Sequence, residues 1–337
     1  MAVGTGNKIQ ATLLCAAAIA VASLLIAGCG GSSDETTAPT GEAAAPSASD
    51  FPEAKGRSLE QISSDEGTAS DIVAAPSGQV YHQGENRYGF GLFNVDGTPV
   101  DDADVALYVA PADKPDEPAA GPFPAAAESL DVEAAFQSRT TSSDPDAATT
   151  VYVADVDFDG KGEFRVVALI KDGDSYSYTQ LLQGAIVDRF ADVPKVGNEA
   201  SMIHTDTPAD VGGDVSQIDT RQPPTTMHED DFADVVGKEP IVLLFATPAL
   251  CQSRVCGPVA DIAEQVKSER PDDAAYIMQE IYKDNIPGPK NARPQVLAYN
   301  LPSEPWLFVI GTDGKISTAI EGAFSEGELN AALDKVN

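Results

Sequence analysis

"EPIVLLFATPALCQSRVCGPVADIAEQVKSER", residues 239–270, decides how this chain is read. Ile241 to Ala246 form an unbroken apolar run that is stopped by Pro248. A short continuous run, rather than an alternating one, predicts a central strand buried on both faces. From Gly257 the spacing changes, and Val259, Ile262, Ala263 and Val266 recur on one helical face. Pro258 agrees with a helix start here, because proline is tolerated only in the first turn. Cys251 and Cys256 bracket the junction with four residues between them. Residues five apart in a regular helix point well away from each other. If the two sulfurs are to bond, Cys251 must therefore lie in the loop before the helix.

Downstream, "AAYIMQEIY" (274–282) reads as a second strand. "PWLFVIGTDGKISTAI" (305–320) reads as a strand, an Asp313-Gly314 turn and a returning strand. The last segment opens with Ser325 and has Glu328 three residues later, a capping box. Strand, helix, strand, hairpin and helix in that order predict an α/β layer arrangement.

Upstream the period is two. "RYGFGLFNVDGTPV" (87–100) alternates around Tyr88, Phe90 and Leu92, and "ADVALYVAP" (103–111) follows. "TTVYVADVDF", "EFRVVALIKDG" and "YTQLLQGAIV" continue the pattern to residue 187. Short strands separated by Gly, Asp and Pro predict an all-β sandwich. The Ala- and Pro-rich piece 111–128 reads as a long loop, with a short helix at 126–137. Asp155, Asp157, Asp159 and Gly160 match the start of a calcium-binding EF-hand loop. Its twelfth position is Val166 rather than a bidentate Glu, so the reading is a hairpin turn with acids on its wet face.

The charge excludes some partners. There are 53 Asp and Glu against 21 Lys and Arg. Nucleic acid and anionic headgroups are bound by basic patches, and this surface would repel both.

At the N-terminus, "MAVGTGNK" carries one Lys and no acid, and the apolar stretch 9–28 leads to Cys29. This has the pattern of a secretory signal, although a transmembrane anchor has an apolar stretch of similar length. Ile26-Ala27-Gly28-Cys29 resembles the lipobox of bacterial lipoproteins. The resemblance implies that residues 1–28 are removed, that Cys29 is the lipid-attachment residue, and that the chain sits on the extracytoplasmic face of the cell membrane. Cys15 then leaves with the signal, so Cys251 and Cys256 are the remaining thiols, and outside the cytoplasm such a pair is expected to be oxidised at least part of the time. Residues 29–70, built from Gly, Ser, Thr, Ala, Pro and acids, read as a flexible tether. The sandwich is assigned to 71–190 and the α/β domain to 193–337. The apolar-poor stretch 191–238 lies between their strand-rich parts.

The segment "YVADVDFDGKGEFRVVALI" (152–170) resembles the paired strands of small bacterial immunoglobulin-like domains. Residues 193–337 resemble the thioredoxin superfamily, of the extracytoplasmic TlpA/Sco type. The likeness rests on three features: the strand entering the Cys251–Cys256 loop and helix, Pro305 nine residues before Gly314, and the capped final helix; the opening Val196-Gly197-Asn198-Glu199-Ala200 also resembles the family's entry segment, with Ser201 where the family has Pro. The chain departs from the family in its Cys spacing, in Leu250 before the first Cys, and in Glu304 before Pro305. The fold class implied is multidomain, an all-β immunoglobulin-like sandwich followed by an α/β thioredoxin-like fold.

The activity implied is thiol–disulfide exchange, without cofactor or metal, on protein thiols or disulfides outside the cytoplasm. Cys251 would attack, Cys256 would resolve, and Pro305 would shape the binding edge; the same two cysteines would form the disulfide. A helix N-terminus and Arg254 both favour a thiolate at this junction. Two other classes stay open. One is a non-catalytic scaffold in which the disulfide only pins the loop. The other is a Sco-like copper protein, since soft thiolates suit Cu(I); its distant His would have to be His82, His204 or His228, and none of these lies between 251 and 337. A weaker likeness of "TPALC" (247–251) to a peroxiredoxin loop ranks below copper.

Overall fold

The computed structural model describes residues 44–337. The signal segment 1–28, Cys29 and the first part of the expected tether lie outside the described residues.

The first helix, α1 (Leu59–Glu66), is opened by a capping box in which the Gln61 N–H donates to the Ser58 hydroxyl and the Ser58 N–H donates to the Gln61 side chain. Its Leu59 and Ile62 pack together with Phe51 and Ala54 onto Ala106, Tyr108 and Leu169. Composition places residues 51–66 in the tether, yet their few apolar side chains are buried because an apolar sheet face is there to receive them.

Nine strands follow: β1 (Gly67–Ala69), β2 (Val73–Pro76), β3 (Gly84–Phe93), β4 (Val105–Pro111), β5 (Ala120–Ser129), β6 (Thr150–Phe158), β7 (Gly162–Asp172), β8 (Ser175–Gln180) and β9 (Ala185–Val187). They form one sheet in the order β1-β8-β7-β4-β5-β6-β3-β2, with β9 paired to β7. β1 runs parallel to β8, and the remaining pairs are antiparallel. The alternation of β3 turns Tyr88, Phe90 and Leu92 inward, where Tyr152, Val156 and Phe158 of β6 meet them. Tyr81 stacks on Tyr88, and Phe90 stacks on Tyr152.

Three local expectations are corrected here. Residues 120–129 are a strand rather than a loop and helix: their alanines carry a weak helical signal, but β4 and β6 supply partners on both sides. The helix in the β5–β6 connection is instead α2 (Arg139–Ser142), capped by Ser138. The strands around Asp159-Gly160 are not paired with each other; β6 lies between β3 and β5, while β7 lies beside β4, β8 and β9.

The second part contains α3 (Phe232–Val235), β10 (Ile241–Ala246), α4 (Cys256–Glu269), β11 (Ala275–Glu280), α5 (Pro294–Ala298), β12 (Trp306–Ile310), β13 (Ile316–Glu321) and α6 (Glu326–Asp334). Its four-stranded sheet has the order β11-β10-β12-β13, with β10 and β11 parallel and the other pairs antiparallel. On one face Val242, Leu244, Leu307 and Val309 pack against Val259 and Ile262 of α4 and Leu329 and Leu333 of α6. On the other, Ile241, Leu243, Phe245 and Phe308 lie under Val193, Ile203, Phe232, Val296 and Tyr299.

The expected fold class is therefore overturned. The first part is a single curled mixed sheet instead of two facing sheets. The chain as described is mostly β, only about 19% helical, with a second small sheet, and does not fit an α/β thioredoxin-like fold. The physical reason lies partly in the cover of the small sheet: mostly irregular chain from 193 to 231, the four-residue α3 and the five-residue α5 occupy one face where a layered α/β fold would place long helices.

A polar seam joins the two sheets. The Glu321 carboxylate at the end of β13 accepts the N–H groups of Gln79 (2.8 Å) and Val80 (2.7 Å). Arg87 of β3 donates from Nε to Glu328 of α6 at 2.6 Å and from Nη2 at 2.9 Å, a two-pronged pairing that is largely out of solvent. Gly322 has φ of +82°, and a Cβ there would stand 2.2 Å from the Ser77 carbonyl oxygen, so the seam closes only over a glycine. Among the described residues no helix is long and apolar enough to cross a membrane.

Candidate functional site

β10 delivers the chain to the cysteine loop, and α4 takes it away. Cys251 and Cys256 are disulfide-bonded, with Cα atoms 5.9 Å apart, inside the usual span. Cys256 is the first residue of α4, and Cys251 lies in the loop before it, as the helix geometry requires. No side chain caps this helix start. The partial positive charge of its unsatisfied N–H groups therefore falls on the sulfurs. The two sulfurs differ in access: Cys256 is 0% exposed, whereas Cys251 is half-buried at the wall of a cleft. Ser253 Oγ lies 3.2 Å from the Cys251 sulfur and 3.5 Å from the carbonyl oxygen of Glu304. That contact brings the chain just before Pro305 to the loop.

Of the residues singled out by sequence, Cys251, Cys256 and the segment leading into Pro305 converge. The Glu304–Pro305 peptide bond is cis, and Pro305 itself is buried at the start of β12. The next residue, Trp306, faces away from the loop. It stacks on Phe308 in the opposite core layer and donates from Nε1 to Ser303 Oγ at 3.1 Å, so its role is packing. Arg254 stays at the loop, with φ of +61°, but its guanidinium is ion-paired with Asp146 and its charge is shared. The three histidines each lie against an aspartate: His82 by Asp188, His204 by Asp231 and His228 by Asp219. Among the described residues no group of three or more His, Cys, Asp or Glu is placed to hold a metal ion.

Sequence reasoning missed two parts of the site. The first is the β5–β6 connection. Arg139, Thr140, Thr141, Ser143, Asp144 and Ala147 form one wall of a cleft of about 500 Å³, and the cysteine loop with the start of α4 forms the other. The walls are close: a Cβ on Gly257 would stand 2.8 Å from Thr141 Oγ1. The Ala148 N–H donates to the Arg254 carbonyl at 3.2 Å, and the Ser138 N–H and hydroxyl donate to Asp261 of α4 at 3.0 and 3.2 Å. The Ser138 cap was a detectable signal, but nothing local says which helix it meets.

The second part is a buried carboxyl beneath the loop. Glu280, at the end of β11, accepts from the Thr220 N–H (3.1 Å) and hydroxyl (2.8 Å). The Thr220 oxygen in turn accepts from the Ala249 N–H at 3.2 Å. Burial is the largest influence on Glu280 and pushes its carboxyl above the ordinary range, against the hydrogen bonds it accepts. Burial pushes Glu304 in the same direction. Burial thus disfavours the charged form of both acids near the loop.

A pH effect on stability follows. Because the folded value of Glu280 is raised, its contribution is fully present below the ordinary carboxylate value. It is lost as pH rises through the raised folded value. Glu280→Gln is therefore expected to gain melting temperature relative to wild type as pH rises across that window, and then to hold a constant difference. Paired thermal unfolding over a pH series checks this, and a difference independent of pH would rule it out.

Comparison with known proteins adds little. No family model matches this chain, and no curated protein matches it. One similar solved structure is a DUF4784 family protein from Bacteroides caccae, 12% identical with a TM-score of 0.18. The match covers 34% of this chain and 24% of that one, so the chain spans about a quarter of that protein.

Proposed function

We propose that this protein is a membrane-anchored thiol–disulfide oxidoreductase acting outside the cytoplasm, with lipid on Cys29 and Cys251–Cys256 as the redox pair. The observation that carries the reading is the unequal access of the two sulfurs at a polar cleft and an uncapped helix start. An exchanging pair needs one sulfur that meets the substrate and one that is sheltered until it resolves the intermediate.

In the reduced protein the Cys251 thiolate attacks one sulfur of a substrate disulfide. The substrate S–S bond breaks, and one substrate thiolate leaves. The Cys256 thiolate then attacks the Cys251 sulfur, the second substrate thiolate leaves, and Cys251–Cys256 is oxidised. Two electrons have passed to the substrate, and a thiol or dithiol outside the cytoplasm must return them. Pro305 and Ser253 border the place where the substrate chain would lie.

Loop pinning is a weaker account of the bridge. With a sequence separation of 5, it removes only about 2 kcal/mol of unfolded-state entropy. The test is the reduction potential of the pair, by equilibration with glutathione or dithiothreitol and mass-tagging of free thiols. A value between about −120 and −270 mV is expected. A value below about −300 mV would identify a structural staple and defeat the proposal.

A further inference from the structure

We infer that the cleft beside Cys251 takes a small anionic thiol, or its disulfide, and that Arg139 pairs with the anionic group; this rests on the exchange activity proposed above. The volume, about 500 Å³, is that of a small-molecule site. It runs between the β5–β6 connection and the start of α4, with Cys251 among the residues of one wall.

Charge supplies the selectivity. Three charged residues line the cleft, Arg139, Arg254 and Asp144, and they are not equivalent. Arg254 is paired with Asp146, which itself donates its N–H to Asp144 Oδ1 at 3.0 Å. Arg139 has no carboxylate partner among the described residues. Its Nη2 donates to the neutral Gln222 side chain at 2.8 Å, and its N–H donates to the Gln222 carbonyl at 2.8 Å. Gln222 orients this guanidinium without cancelling its charge. In a chain with 53 acids and 21 bases, an exposed arginine without a carboxylate partner in the same cleft as the half-buried Cys251 is a specific feature. A guanidinium presents a planar fork that fits a carboxylate. The hydroxyls of Thr140, Thr141 and Ser143 make the rest of that wall polar.

The reaction balances with the thiol itself as reductant. A thiolate RS⁻ attacks the Cys251 sulfur, the Cys251–Cys256 bond breaks, and Cys256 leaves as thiolate. A second RS⁻ attacks the mixed disulfide, releasing RSSR and the Cys251 thiolate. Two electrons have entered the protein, and the reverse sequence reduces RSSR.

The test follows opening of the disulfide in the folded chain, by mass-tagging, with glutathione as the anionic probe and 2-mercaptoethanol as the neutral one. Rates are normalised to thiolate concentration. Wild type is expected to favour glutathione by on the order of fivefold at low salt, with the preference shrinking at high salt. Arg139→Gln should bring the ratio to about one, and Lys335→Gln on the exposed end of the last helix should leave it as in wild type. Circular dichroism confirms that the variants fold. Equal rates in wild type, or a preference that survives Arg139→Gln, would overturn the inference while leaving exchange intact. If neither probe opens the disulfide, the exchange reading falls and the inference falls with it.

Discussion

Cys256→Ser is expected to accumulate mixed disulfides through Cys251, while Cys251→Ser forms none and loses exchange altogether. The difference follows from access. Cys251 is half-buried at the cleft wall, where an incoming disulfide would meet it, whereas Cys256 is fully enclosed at the first turn of α4. With serine at 256 the first attack still proceeds, but no internal thiolate remains to break the intermediate. With serine at 251 the remaining thiol cannot be reached. Non-reducing electrophoresis and intact mass, after incubation with a disulfide-containing protein, read both outcomes. Identical behaviour of the two variants would remove the assignment of roles, and trapping only through Cys256 would reverse it.

Arg221→Met is expected to destabilise the protein by about 3–5 kcal/mol, the cost of leaving a buried charge without its partner. Arg221 and Asp261 are 5% and 1% exposed at the side chain, and Nε donates to Oδ1 at 2.7 Å. The same guanidinium donates to the Pro223 carbonyl at 2.9 Å and to the Phe136 carbonyl at 2.5 Å. Removing it strands the Asp261 carboxylate with only Ser138 as donor. Three segments that are distant in sequence lose their common anchor. For a chain of this size the fall in melting temperature is roughly 6–10 °C, at about 2 °C per kcal/mol. Urea unfolding of Arg221→Met, Asp261→Asn and the double variant would measure the coupling. The double variant should recover part of the loss, because it no longer buries an unpaired charge. A loss under about 1 kcal/mol for Arg221→Met would mean that the pair is solvated and the argument is wrong. The loss should also loosen the cleft, because Ser138 caps the helix that carries Arg139.

The cysteine site was legible in the sequence to the extent that it is local. The apolar run became β10, the helix began at Cys256, and Cys251 fell in the loop between them. The Asp313-Gly314 turn joined β12 to β13, with Gly314 at φ of +77°, and Ser325 and Glu328 formed the capping box of α6. The alternation at Tyr88, Phe90 and Leu92 correctly named the inward face of β3. The polar half of the site was not legible. Glu280 ends a strand that could be read and Arg139 follows a cap that could be read, but neither signal says what it meets; Thr220 comes from a segment with no period and no motif, and all three reach the site only because the chain returns to it.

Sequence by itself determined the elements whose signals lie within about ten residues: strand periods, helix starts, caps, turns, and the loop position of Cys251. Tertiary structure decided which strands are neighbours. It curled nine of them into one mixed sheet, parted β6 from β7 across their tight turn, and made a strand of the alanine-rich 120–129. It also drew Phe51, Leu59 and Ile62 out of a stretch with the composition of a tether. The physical reason is the range of the forces. A cap or a period is satisfied by nearby backbone and side chains, so it is written locally. A sheet partner, a covering segment or a buried ion pair is chosen by complementarity between surfaces far apart in sequence, and no single segment carries that choice.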